Sequence, residues 1–266
     1  MSVSSALAQA EPDEFSVPFR KTSKGQIAVS ADLQGRQLSM IFDTGAEECL
    51  FGRNQIAAAN LSSADRSKSA MLNSVGGPVR IFQIRADIKL GGLKKTIPVC
   101  VQDTDMESAI LGQPFFKGYD CSVDNQAGLL RFRKAGKGAA AISYDSFAIP
   151  FKEVGDKIIV SAKLNGINTD MCFDTGAFGV CLSKAQSEKF GLALPENPSG
   201  NTKGPNGHRV TSWDIYADLS LGPIRKNSCP MRVIEAETSF PLLGQNFFGD
   251  RMFSIDRSKK EIRFAR

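Results

Sequence analysis

The stretch MIFDTGAEECLF, Met40 to Phe51, runs two apolar residues, Ile41 and Phe42, straight into a carboxylate, Asp43, and follows it with Thr44 and Gly45. A strand that reads as buried has no local reason to end on an acid, because a buried unpaired charge is costly. The same pattern recurs in the second half of the chain, in MCFDTGAFGVCL from Met171 to Leu182, with its acid at Asp174. The oddity is duplicated, so its explanation has to involve both copies.

Beyond the two acids, the whole chain is a repeat, and a missed repeat would misread the fold. SVPF at Ser16 matches AIPF at Ala148, and IAVSADLQG from Ile27 matches IIVSAKLNG from Ile158. RADIKLGG from Arg85 pairs with YADLSLGP from Tyr216, and AILGQPFF from Ala109 with PLLGQNFF from Pro241. CSVDNQAGLLRF, ending at Phe132, pairs with FSIDRSKKEIRF, ending at Phe264. All blocks keep the offset between the two acids to within a single position, which short chance words would not do. Between the copies, RKAGKGAAAISYDS is rich in Gly, Ala and Lys and lacks apolar periodicity, as a linker does. The expected organisation is a tail over 1–14, a lobe over 15–133, a linker over 134–146 and a second lobe over 147–266.

Within each copy, short runs with period-two alternation, such as IAVSADL and RIFQIRADIKL, are separated by Gly, Asn or Pro turns. That pattern predicts an all-β protein of two similar, closed barrel-like lobes related by a pseudo-twofold, with few short helices. The helix candidates are RNQIAAANL from Arg53 and KAQSEKFGL from Lys184, at corresponding places after each acid, with a further turn of helix at QPFFKGY and QNFFGDR.

Composition narrows the function. With 266 residues, 42% hydrophobic, the chain has ample material for large cores, and no apolar run approaches the roughly 20 residues that span a bilayer. A net charge of +5, from 33 basic and 28 acidic residues without a basic block, describes a mixed solvated surface and indicates no nucleic-acid partner. The six cysteines lack CxxC spacing and there is one histidine, His208, so no metal site is expected. Most of the cysteines read as small buried apolar residues, while their even number permits disulfides in an exported protein. Ala8-Gln9-Ala10 has the small-x-small form that precedes signal cleavage, but the basic and long apolar regions of a leader are missing. The localisation reading leans to export, to a bacterial periplasm or cell envelope, with a soluble cytoplasmic protein as the alternative.

Asp-Thr-Gly-Ala, followed downstream by an apolar-apolar-Gly motif, ILG at Ile110 to Gly112 and LLG at Leu242 to Gly244, and all of it twice, resembles the retropepsin-like aspartic peptidases in an internally duplicated, single-chain form. The resemblance implies an aspartic endopeptidase with no cofactor, in which Asp43 and Asp174, one per lobe, are the catalytic pair. Peptide hydrolysis without a metal needs one carboxylate to take a proton from water and one carboxylic acid to hydrogen-bond the substrate carbonyl. Two acids about 3 Å apart supply both, because like charges that close share one proton.

The neighbours take supporting roles under the same resemblance. Gly45 and Gly176 let the backbone turn and bring amides to the carboxylates, Thr44 and Thr175 join the two loops across the lobe boundary, and Gly112 and Gly244 permit a close approach beneath them. Ala46 and Ala177 stand where pepsin-like enzymes carry a hydroxyl donor, and losing that donor predicts a mildly acidic optimum. Flap hairpins are expected at NSVGGPVRIF and GPNGHRVTSW, with Gly76, Gly77 and Gly207 at their tips, over a protein or peptide substrate bound extended between the lobes. Phe82 and Trp213 correspond in the two flap strands and are expected mainly in the core. Two departures from retropepsins stand out. Gln113 and Gln245 replace the usual Arg after the Gly motif, and Glu47 and Glu48 have no counterpart in AFGVC, which points away from the usual inter-subunit ion pairs. The linker implies activity as a monomer. The competing expectations are a latent or inactive protein of the same fold that binds extended peptides, and two acids that merely cap turns.

Overall fold

The acid-bearing strands are hairpin partners before they are anything else. Ile27–Leu33 pairs antiparallel with Arg36–Phe42 through the turn at Gln34 and Gly35, both with positive φ. Lys157–Leu164 pairs with Ile167–Phe173 through Asn165 and Gly166, again both positive. Such two-residue turns favour Asn-Gly, which LNGI supplies, while in LQGR Gln34 takes the left-handed conformation before its glycine. The computed structural model describes residues 10–61, 69–75, 77–137, 145–204 and 207–266.

Each acid strand then runs parallel to the strand carrying its Gly motif. Met40, Ile41 and Phe42 align with Ala109, Ile110 and Leu111, and Cys172 and Phe173 with Leu242 and Leu243. Longer hairpins complete each lobe, Ser69–Ser74 with Gly77–Leu90 and Leu93–Gln102 in the first, Gly200–Lys203 with Arg209–Leu221 and Ile224–Ile234 in the second. The protein is mostly β, two repeated barrel-like lobes with four short helices among the described residues, at Arg53–Ala58, Gln113–Phe116, Lys184–Lys189 and Gln245–Phe248. Ser183 caps the third of these from its hydroxyl, with Gln186 completing the reciprocal pair.

The residue before each acid anchors it. Phe42 is fully buried with its ring 4.8 Å from Phe116 and 5.9 Å from Phe132, and Phe173 sits 4.3 Å from Phe248 and 5.3 Å from Phe253. Each buried phenylalanine contributes about 2–3 kcal/mol of apolar transfer, which fixes the strand end and hence the next residue.

The lobes are joined by hydrogen-bonded strands as well as by the chain. Tyr119–Asp124 pairs with Phe253–Asp256, placing Ser122 opposite Ser254, Cys121 opposite Ile255 and Val123 opposite Phe253. Ser122 and Ser254 are themselves equivalent in the repeat, so the pseudo-twofold axis passes through this pair. Outer strands extend the sheet to six: Leu129–Lys134 and Glu14–Lys21 on one side, Glu261–Ala265 and Ser146–Val154 on the other. Among the described residues, strands begin at Glu14, stop at Lys134 and resume at Ser146, so the ends of the expected tail and linker are already sheet. The middle of that linker, and Ala8 and Gln9, lie outside the described residues.

All six cysteines are free and buried, as small apolar residues would be. Phe82 and Trp213 are also in the core, with the Lys184 ammonium 5.6 Å from the centre of the Trp213 ring. No helix among the described residues is long and apolar enough to cross a membrane.

Candidate active site

The parallel pairing carries both strands to a common point. Asp43 N–H donates to the Leu111 carbonyl and Asp174 N–H to the Leu243 carbonyl, both at 3.1 Å, so each acid loop is tied to the end of its Gly-motif strand. Beyond that bond the chain turns back sharply and the two turns interlock. Thr44 N–H donates to Thr175 Oγ1 and Thr175 N–H to Thr44 Oγ1, each at 3.1 Å. Thr44 Oγ1 donates across the boundary to the Phe173 carbonyl and Thr175 Oγ1 to the Phe42 carbonyl, each at 2.7 Å. Both threonines are completely buried, so these four bonds satisfy groups that water cannot reach.

The interlock sets Asp43 and Asp174 beside each other, each carboxyl packed against the glycine of the other loop, with both side chains buried. Gly45 N–H donates to Asp43 Oδ1 at 2.8 Å, while Gly176 and Ala177 N–H groups donate to Asp174 Oδ1 at 2.9 and 2.8 Å. Burial, then the adjacent Asp174 carboxylate, hold the Asp43 carboxyl well above the usual range against the pull of the Gly45 and Ala46 N–H groups. Burial also raises Asp174, but the Ala177 N–H, the Asp43 carboxyl and the Gly176 N–H oppose the rise. Both carboxyls are thus held above the usual range, the two share one proton, and the titration belongs to the pair.

Glycine is required here by space. A Cβ on Gly45 would stand 2.5 Å from Asp174 Cγ, and one on Gly176 would run into Asp43 Oδ2. Gly112 and Gly244 pass under the loops so closely that a Cβ would meet the Ala46 and Ala177 carbonyls, respectively, at 2.8 Å, besides the Glu48 and Gly179 carbonyls. Ala46 and Ala177 present those carbonyls to the N–H groups of Gln113 and Gln245, at 2.9 and 3.0 Å. Of the expected flap residues, Gly77 and Gly207 lie at hairpin turns with φ of +87° and +79°, and Gly76 lies outside the described residues.

Two departures from the expected pattern acquire partners. Glu47 is ion-paired to Lys157 of the second lobe, and Lys117 to Asp156 at 2.6 Å, so cross-boundary ion pairing at this place is present after all. The expectation of its loss follows from the absence of Arg, and Lys157, supplied by the other repeat, fills the need. In the other copy the neutral Gln26 Nε2 donates to the Gly176 carbonyl, and Phe178, the counterpart of Glu47, is left exposed.

Sequence marks the glutamines only as missing arginines, and the structure gives them work of their own. Gln113 Nε2 donates to the Thr44 carbonyl at 2.7 Å and Gln245 Nε2 to the Thr175 carbonyl at 2.9 Å, both from buried side chains. Each amide oxygen faces a cation of the opposite lobe, Arg257 for Gln113 and Lys21, at 3.3 Å, for Gln245. The sequence signal for the glutamines is their recurrence at one repeat position; for the cations there is none.

Among the described residues no three His, Cys, Asp or Glu side chains stand close enough together to hold a metal ion. The profile of a family described as "gag-polyprotein putative aspartyl protease" matches the chain twice, over residues 29–118 and 160–250, together more than half its length. No curated protein matches it.

Proposed function

The chain belongs to the gag-polyprotein aspartyl protease family, duplicated within one polypeptide, and we propose from this that it is an aspartic endopeptidase whose catalytic pair is Asp43 and Asp174. The observation that carries this reading is the reciprocal threonine interlock, which holds two buried carboxyl groups, one from each repeat, in contact. Asp174, whose Oδ1 accepts from the Gly176 and Ala177 N–H groups where Asp43 Oδ1 accepts from that of Gly45, serves as the anion and takes a proton from the attacking water. Asp43, the protonated member, hydrogen-bonds the substrate carbonyl and stabilises the tetrahedral intermediate. The proton is then passed to the leaving nitrogen, and the pair returns to one shared proton. Neither acid needs to move, because the phenylalanine anchors, the Gly motifs and the interlock hold them rigidly.

In this reading the hairpins that end at Gly77 and Gly207 close over an extended peptide, and glycines at their turns let them open. One chain holds both acids, so the working unit is the monomer. The test is incubation of an unbiased peptide library with the intact chain and with Asp174→Asn, from pH 3 to pH 7. Cleavage confined to the intact chain, with a mildly acidic optimum, is expected. Equal cleavage by both proteins removes the assignment, and binding of peptides without cleavage by either would make this a peptide-binding relative.

A further inference from the structure

The bonds made by Gln113 and Gln245 lead somewhere specific. The Thr44 carbonyl that accepts from Gln113 belongs to the same peptide group as the Gly45 N–H that donates to Asp43 Oδ1. Likewise, the Thr175 carbonyl that accepts from Gln245 belongs to the peptide group whose Gly176 N–H donates to Asp174 Oδ1. Each glutamine oxygen in turn accepts from a cation of the other lobe, Arg257 or Lys21. Two unbroken hydrogen-bond chains therefore run cation, side-chain amide, peptide, carboxylate, every donor pointing the same way.

We propose that Arg257 and Lys21 are positioning residues that polarise these chains from across the lobe boundary and so set the acidity at which the Asp43–Asp174 pair works. Bonds in series strengthen one another, and a cation at the head makes the terminal N–H a better donor to an ionised carboxylate. The geometry also couples lobe docking to chemistry, because each cation is supplied by the lobe that does not carry the glutamine it reaches. The inference rests on the endopeptidase reading, but the titration of the pair can be followed without turnover.

The two chains differ at their heads. Arg257 is nearly enclosed and also pairs with Glu153 at 2.9 Å, while its own N–H is held by Asp120 at 2.8 Å. Lys21 also donates to the Gly249 carbonyl at 2.7 Å and feels Asp250. Among the described residues, the buried thiols of Cys172, beside both acids, and Cys181, beside Asp174, also couple electrostatically to the pair, with Lys157 coupled in turn to Cys172 and Arg232 to Cys181. None of these lies on either chain. The Arg257 chain is the stronger test.

Arg257→Met, Arg257→Lys, Gln113→Met and the double variant Arg257→Met/Gln113→Met should be compared by the pH dependence of kcat/KM and by carbon NMR titration of the aspartate carboxyls. Removing the cation disfavours the ionised pair, so both limbs should move to higher pH, by about half a unit, as expected for weakening one of several bonds to the carboxylate. Arg257→Lys should restore most of the shift, KM should change little, and Arg257→Met should add nothing in the Gln113→Met background. Equal shifts with and without Gln113 would show a through-space charge effect and overturn the relay. No shift in a variant that retains the native thermal transition would also overturn it. A wild-type chain that titrates as described but cleaves nothing would sink the endopeptidase reading and leave the relay standing.

Discussion

Replacing Thr44 by valine keeps the shape of the side chain and removes its hydroxyl. In the native protein that oxygen donates to the Phe173 carbonyl at 2.7 Å and accepts from Thr175 N–H at 3.1 Å, in a place sealed from water. The variant leaves one carbonyl and one N–H buried without partners, each costing about 1–3 kcal/mol, so Thr44→Val should lose roughly 2–6 kcal/mol. That is a large part of the roughly 5–15 kcal/mol that holds a typical domain. The pseudo-twofold requires Thr175→Val to cost the same within about 1 kcal/mol, since its two bonds have equal lengths. Thr44→Ser keeps the hydroxyl and should lose only about 1 kcal/mol for the missing methyl. Urea unfolding followed by fluorescence reads all three, with peptide cleavage measured in parallel. Because the loop it holds carries an acid, Thr44→Val should also lower kcat by about 100-fold if the acid is displaced by an ångström. A valine variant within about 0.5 kcal/mol of the native protein, the usual scale of surface changes, would show that the interlock does not hold the lobes.

The same geometry fixes three other outcomes. Asp43 titrates above its unfolded value, so the native state binds the extra proton between the two and stability falls as pH rises through that window; Asp43→Asn should therefore melt higher than the native chain at pH 7, with the gap closing below about pH 4, and a gap independent of pH would contradict the burial account. Gly45→Ala puts a methyl 2.5 Å from Asp174 Cγ and should fold with the pair forced apart, abolishing cleavage while Asp174 titrates nearer to an ordinary carboxylate; retained activity would mean that the contact is not tight. Burial pushes the Cys49, Cys100, Cys121 and Cys181 thiols up to about 12, so a thiol reagent at pH 8 should label none of the six cysteines in the native protein and all six in guanidinium without reductant; fewer than six would reveal a disulfide.

The two Asp-Thr-Gly loops and their Gly-motif strands were legible in the sequence because the duplication repeats both residue type and spacing, while the threonine contacts across the boundary were expected only from the family resemblance. The buried Phe42 and Phe173 before the acids recur in both copies as apolar residues, as the repeat leads one to expect. What escaped sequence reasoning is the set of contacts that break the repeat. Arg257 and Lys21 do the same work on Gln113 and Gln245, but Asn125 stands at the repeat position of Arg257 and Glu153 at that of Lys21. Lys157 reaches Glu47 in one copy while Gln26, its repeat equivalent, reaches a carbonyl in the other. Once two copies share a chain, each side of the interface is free to diverge, and only the folded arrangement shows which long side chain meets which loop.

Whether both repeats of one polypeptide build a single catalytic pair is decided by mixing. Asp43→Asn and Asp174→Asn chains should be assayed for peptide cleavage separately and as an equimolar mixture, beside the intact chain diluted from micromolar to nanomolar. Activity per intact chain should stay constant on dilution, and neither variant nor their mixture should show any, since every chain in the mixture carries a broken pair. Turnover by a single variant, or activity that returns on mixing, would contradict the one-chain pair.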